Sequence, residues 1–156
     1  MQKFERADFE VAEYVDSENY GKFVLSPLER GFGTTIGNAL RRVLLSSLPG
    51  AAVFSIKVDG VYHEFTTISG VREDVSMIIL NLKKLVMKIE DDEVYDLQIS
   101  AKGPCTITAG DIICPAQVEI LNKDLEIAHL EKDVSLEMEL KAKNGRGYIS
   151  ADINKR

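Results

Sequence analysis

From residue 34 to residue 47 the chain carries a stretch that suits a helix and little else. Ile36, Ala39, Leu40, Val43, Leu44 and Ser47 recur at spacings of three and four, which places them on one stripe of a helical surface. Pro27 and the glycine-rich tract Glu29-Arg30-Gly31-Phe32-Gly33 precede the stretch, Thr34 or Thr35 offers a side-chain oxygen to cap it, and Pro49-Gly50 stops it. The opposite face carries Asn38, Arg41 and Arg42 around Leu45. A single exposed leucine is common and needs no explanation. An apolar anchor rimmed by arginine and asparagine also has the make-up of a protein–protein contact. The pattern predicts a two-sided helix, apolar toward its own fold or a second copy and arginine-lined toward a partner.

The segments around this helix read as strands. Phe9, Val11 and Tyr14 fall in one extended run and Phe23 and Leu25 in a second, with the turn-rich Asp16-Ser17-Glu18-Asn19-Tyr20-Gly21 between them, which predicts a hairpin closed off at Pro27. After residue 50, Phe54, Ile56 and Val58 alternate, Asp59-Gly60 reads as a two-residue turn, and Val61, His63 and Phe65 form the expected return strand. A second helix is expected after Gly70 from Val71, Val75, Ile78, Ile79 and Leu82, with Glu73 and Asp74 in its first turn. Residues 85–89 and 94–99 are expected to flank a solvated hairpin turn at Glu90-Asp91-Asp92-Glu93. Val134, Leu136, Met138 and Leu140 alternate as a strand, and residues 143–147 read as a turn. The class is α+β, with antiparallel sheet dominating after residue 50.

Several kinds of chemistry find no support. The 19 Lys and Arg against 25 Asp and Glu give a net charge of −6, which argues against broad binding to a phosphate backbone. Cys105 and Cys114 form no CxxC and the only histidines are His63 and His129, so no zinc pattern is present and two ordinary thiols are expected. No signal core and no apolar run long enough to span a bilayer is seen, so the cytoplasm is the expected compartment. Ser46 and Ser47 lack a nucleophile elbow, both histidines are expected to be structural, and the acidic run at residues 90–93 lacks the order of a calcium loop. No catalytic residue, metal site or cofactor is therefore expected. Gly31, Gly33 and Gly37 match neither the dinucleotide fingerprint nor a P-loop. A small nucleotide- or anion-binding domain using that loop remains the alternative function, since a glycine loop entering a helix can hold an anion.

The tract Pro27-Leu28-Glu29-Arg30-Gly31-Phe32-Gly33-Thr34-Thr35-Ile36-Gly37-Asn38-Ala39-Leu40-Arg41-Arg42-Val43-Leu44-Leu45-Ser46-Ser47 resembles the signature of bacterial and plastid RNA polymerase alpha subunits. Similar blocks follow in family order at Val58-Asp59-Gly60-Val61-Tyr62-His63-Glu64-Phe65, Gly70-Val71-Arg72-Glu73-Asp74, Leu80-Asn81-Leu82-Lys83 and Gly145-Arg146-Gly147-Tyr148. The resemblance implies that residues 1–50 are the first half of a discontinuous dimerisation domain and residues 51–156 an inserted, mainly antiparallel β-rich domain. It implies a homodimer that recruits the beta and beta′ subunits, with no catalysis on this chain although it serves a nucleotidyltransferase. Carried over by position, Arg42 matches a residue associated with beta binding, and Leu45 and Lys83 match further assembly positions. Arg41 and Asn38 share the Leu45 face, while Ile36, Leu40, Val43 and Leu44 fall on the face expected to pack in the dimer. Family members are longer, so the chain is expected to be a truncated form lacking the second half of the dimerisation domain and the DNA-binding C-terminal domain. No DNA or membrane contact is expected of it.

Overall fold

The computed structural model describes residues 6–18 and 20–154. The parts of the sequence reading that fall on Asn19 and on the two ends lie outside those residues. The chain divides into two compact units, Met1–Leu45 and Ser46–Arg156.

In the first unit β1 (Asp8–Val15) and β2 (Tyr20–Ser26) pair antiparallel across a 3-10 turn at Asp16–Glu18, with a bulge between Val11 and Glu13. The alternating aromatics account for the pairing: Val11 lies opposite Phe23 and Phe9 opposite Leu25, and the Phe9 and Phe23 rings stack with centroids 5.4 Å apart. Helix α1 follows, Phe32–Ser47. It starts two residues before the expected cap. Gly31 holds a φ of +94°, a conformation glycine adopts at no steric cost, and the Phe32 N–H already donates to the Glu29 carbonyl at 3.1 Å. Thr34 and Thr35 thus lie inside the helix rather than capping it. The Thr35 hydroxyl donates back to the Gly31 carbonyl at 3.4 Å.

The second unit is built on a three-stranded antiparallel sheet, with β9 (Ser135–Arg146) between β3 (Pro49–Val58) and β5 (Tyr95–Lys102). Leu136, Met138, Leu140 and Ala142 alternate along β9 and are all buried, with Leu97 opposite Leu140 and Ile99 opposite Met138. Each large aliphatic side chain so buried contributes about 1.5–3 kcal/mol of transfer free energy. The other face is charged, with Lys141 on Asp96 at 2.8 Å and Lys57 on Glu139 at 3.5 Å. Two short pairs complete the strands: β4 (Met87–Ile89) with β7 (Val118–Ile120), and β6 (Cys105–Thr108) with β8 (Glu126–Leu130). Helix α2 (Val75–Leu82) buries Val75, Ile78 and Leu82, and a short helix α3 (Ala151–Asn154) follows β9. The fold is α+β with antiparallel pairing throughout the described strands.

Several local expectations give way to long-range pairing. Residues 61–65 form no return strand: Asp59 and Gly60 turn the chain, with Gly60 at φ +72°, but β3 finds its partner in β9. Phe54 does not share a face with Ile56 and Val58. A bulge between Val53 and Ser55 shifts the register, so Ala51 and Val53 join Ile56 and Val58 against the core. Phe54 instead lies beneath the Lys143 ammonium, 4.6 Å from its ring centroid. The strands flanking residues 90–93 do not pair with each other, since β4 pairs β7 and β5 pairs β9. Residues 143–146 continue β9 instead of turning, because Lys143, Asn144, Gly145 and Arg146 lie opposite Ala52, Ala51, Gly50 and Pro49.

Candidate functional site

The predicted site residues fall in both units, those of α1 in the first and Lys83 in the second. On α1, Asn38, Leu40, Arg41, Arg42, Val43, Leu44 and Leu45 are all exposed, and only Ile36 is half-buried. The apolar stripe is as open as the arginine face: Leu40, Val43 and Leu44 are 55–57% exposed and Leu45 61%. An amphipathic helix in a finished fold covers its apolar stripe. Within the first unit no described residue buries it. At the helix start the Phe32 N–H is bonded to the Glu29 carbonyl, so one of the donors an anion at this loop would need is already in use, while the Thr35 N–H makes the first regular helix bond, to the Gly31 carbonyl.

In the second unit, Lys83 follows α2 directly and its N–H donates to the Ile79 carbonyl at 3.0 Å, which keeps its backbone continuous with the helix. Asp74 caps the other end, its carboxylate accepting from the Met77 N–H at 2.6 Å. Helix α2 is apolar apart from Ser76 and Asn81, whose side chains donate to the Glu64 and Ile127 carbonyls. Val75, Ile78 and Leu82 face the core, whereas Met77 and Leu80, six and three residues before Lys83, remain 47% and 50% exposed. Sequence reasoning used only the core-facing half of this pattern. The absence of any polar side between Met77 and Leu80 was the signal for the other half.

Glu73 is placed differently from its expected position in the first turn of α2. It precedes the cap, and its carboxylate accepts the His129 backbone N–H at 2.7 Å and meets the His129 ring Nδ1 at 2.7 Å. Burial acts to raise the Glu73 carboxyl, but the hydrogen bonds from the His129 backbone and ring outweigh it and hold the group below its ordinary value. His129 Nε2 lies 3.8 Å from Glu126. His63 is exposed, and Cys105 and Cys114 are free thiols. Among the described residues no three His, Cys, Asp or Glu side chains converge as a metal site, and no helix is long and apolar enough to cross a membrane.

Residues 56–156 match the family model of the RNA polymerase Rpb3/RpoA insert domain. The chain is also 56% identical, over 99% of its length, to the DNA-directed RNA polymerase subunit alpha of Alkaliphilus metalliredigens. The chain belongs to the bacterial RNA polymerase alpha-subunit family. The alpha subunits of Desulfitobacterium hafniense and Bacillus velezensis are likewise 56% identical over the whole chain. The chain spans about half the length of these alpha subunits, 49% of the first and 50% of the others. The insert-domain match lies wholly within the second unit and contains α2 and Lys83. The α1 residues precede it, so their relation to the alpha family rests on the whole-chain identity.

Proposed function

We propose that this chain is a non-catalytic assembly scaffold of cytoplasmic bacterial RNA polymerase. Its first 50 residues act as part of a dimerisation domain and the remainder as the β-rich insert. The apolar stripe of α1, with Ile36, Leu40, Val43 and Leu44, packs against a second alpha copy. Arg42 and Leu45, with Asn38 and Arg41 around them, dock the beta subunit, and Lys83 adds a further contact. The beta′ subunit joins the assembled dimer.

The observation that carries this reading is the exposure of α1 on both faces, with every residue of the buried core cluster drawn from the second unit. Free apolar area of this kind is stabilised by association. A leucine flanked by two arginines, open at 61%, suits the centre of a protein interface better than a wet helix face. The test is capture of purified beta subunit by the chain, with light scattering to report mass. Arg42→Ala and Leu45→Ala are each expected to weaken capture by about tenfold or more, the usual size of an interface anchor. Unchanged capture by both variants would remove the basis for this docking face.

A further inference from the structure

Residues 70–73 lie along β8 as a short antiparallel ladder. The Glu131 N–H donates to the Gly70 carbonyl at 2.8 Å and the Arg72 N–H to the His129 carbonyl at 3.0 Å, with Val71 bridged to Leu130. The next rung needs an acceptor for the His129 N–H. In a regular antiparallel pair that acceptor would be the Arg72 carbonyl, but here the His129 N–H goes to a side chain. The Glu73 side chain takes the place of that carbonyl, with one carboxylate oxygen on the His129 N–H and the other at Nδ1 of the same residue. At the far end of the helix, Asn81 Nδ2 donates to the Ile127 carbonyl at 3.1 Å, two residues from His129 on β8. The helix is therefore pinned to one strand at both ends.

This arrangement does more than an apolar contact would. Val75, Ile78 and Leu82 bury area, which is non-directional and leaves a short helix free to slide or roll. Two hydrogen bonds from one residue to one carboxylate fix a direction. What they fix is the outward strip of Met77 and Leu80 and the position of Lys83 at its end. We propose that Glu73 and His129 are positioning residues that set the presentation of Lys83 and the adjoining apolar strip to the beta subunit. This rests on the assignment of Lys83 as an assembly contact. The depressed Glu73 carboxyl agrees with an ionised acceptor held in place near neutral pH.

The experiment is a double-mutant cycle on the full chain, reading the Kd for purified beta subunit, with circular dichroism to confirm folding. Glu73→Ala is expected to weaken binding about fivefold, a coupling usual for residues in one network. Glu73→Gln should recover most of the loss, since its amide offers an acceptor to the His129 N–H and a donor to Nδ1 of the other ring tautomer. In a Lys83→Ala background, Glu73→Ala should have a clearly smaller effect, since only the apolar strip then remains to be presented. An equal effect in both backgrounds, or none in the native one, overturns the proposal. If Lys83→Ala itself leaves Kd unchanged, the assembly assignment fails and this inference falls with it. Should Glu73→Ala fail to fold, the same cycle with His129→Ala decides the matter, because that variant keeps the backbone rung.

Discussion

Replacing Leu44 by alanine is expected to weaken self-association of this chain without altering the stability of its second unit. Leu44 is 57% exposed on α1, among Leu40 and Val43 at 55% each. Full burial of a leucine is worth about 1.5–3 kcal/mol, so covering the open part of this one contributes about 1 kcal/mol beyond what alanine would retain. A twofold interface contains each side chain twice, which makes the loss about 2 kcal/mol per dimer. That corresponds to a Kd about 30-fold weaker. Sedimentation equilibrium over a wide concentration range measures it, with urea unfolding of the same samples as the control. Because no α1 residue is buried within the chain, the unfolding midpoint of the second unit should not move. Two results would refute the reasoning. One is a wild-type chain that stays monomeric at every concentration. The other is a dimer whose Kd ignores the substitution, which would place its contacts on another surface.

Ile78 has no exposed surface, so Ile78→Ala should cost about 2–5 kcal/mol in urea unfolding through lost transfer energy and a cavity under α2. Gly70 combines a φ of +75° with a backbone so close to Val134 that an added Cβ would run into the valine Cγ2; Gly70→Ala should destabilise by about 2 kcal/mol or more in the same assay. The folded-state pKa of Glu73 lies below 4.5, so its contribution to stability is complete above that value and is lost as pH falls through the lowered one; acid unfolding of Glu73→Ala should lack this component. The hydrogen bond to Asp91, with lesser help from desolvation and nearby carboxylates, pushes the Tyr95 phenol up to about 12. Its contribution is therefore present below pH 10 and lost as pH rises through about 12, and ultraviolet titration should show one late tyrosine that Asp91→Asn returns to the ordinary range.

The elements legible in the sequence are those whose signal is local. The threefold and fourfold spacing from Ile36 to Ser47 specifies α1 because a helix satisfies its backbone within itself, and the alternation from Leu136 to Leu140 specifies a strand because its period is two. The division of α1 into an apolar and an arginine-bearing face was legible from the same spacing, whereas the exposure of the apolar face was not. Strand partners were not. Leu97 pairs with Leu140 and Ile56 with the same leucine from the other side, across more than 40 residues of chain, and nothing near Asp59-Gly60 or the acidic turn at residues 90–93 records that choice. Short local turns there suggested hairpins. The sheet instead placed β9 centrally, where its buried alternation meets two apolar strands at once. The bulge that turns Phe54 out of the core follows from that pairing, as does the role of Glu73, which reads as a first-turn acid until the His129 N–H on β8 goes to its side chain. Periodicity acts within a few residues and so survives in the bare sequence. Partner choice and the completion of a hydrogen-bond ladder depend on which distant surfaces leave water together, and only the folded chain decides that.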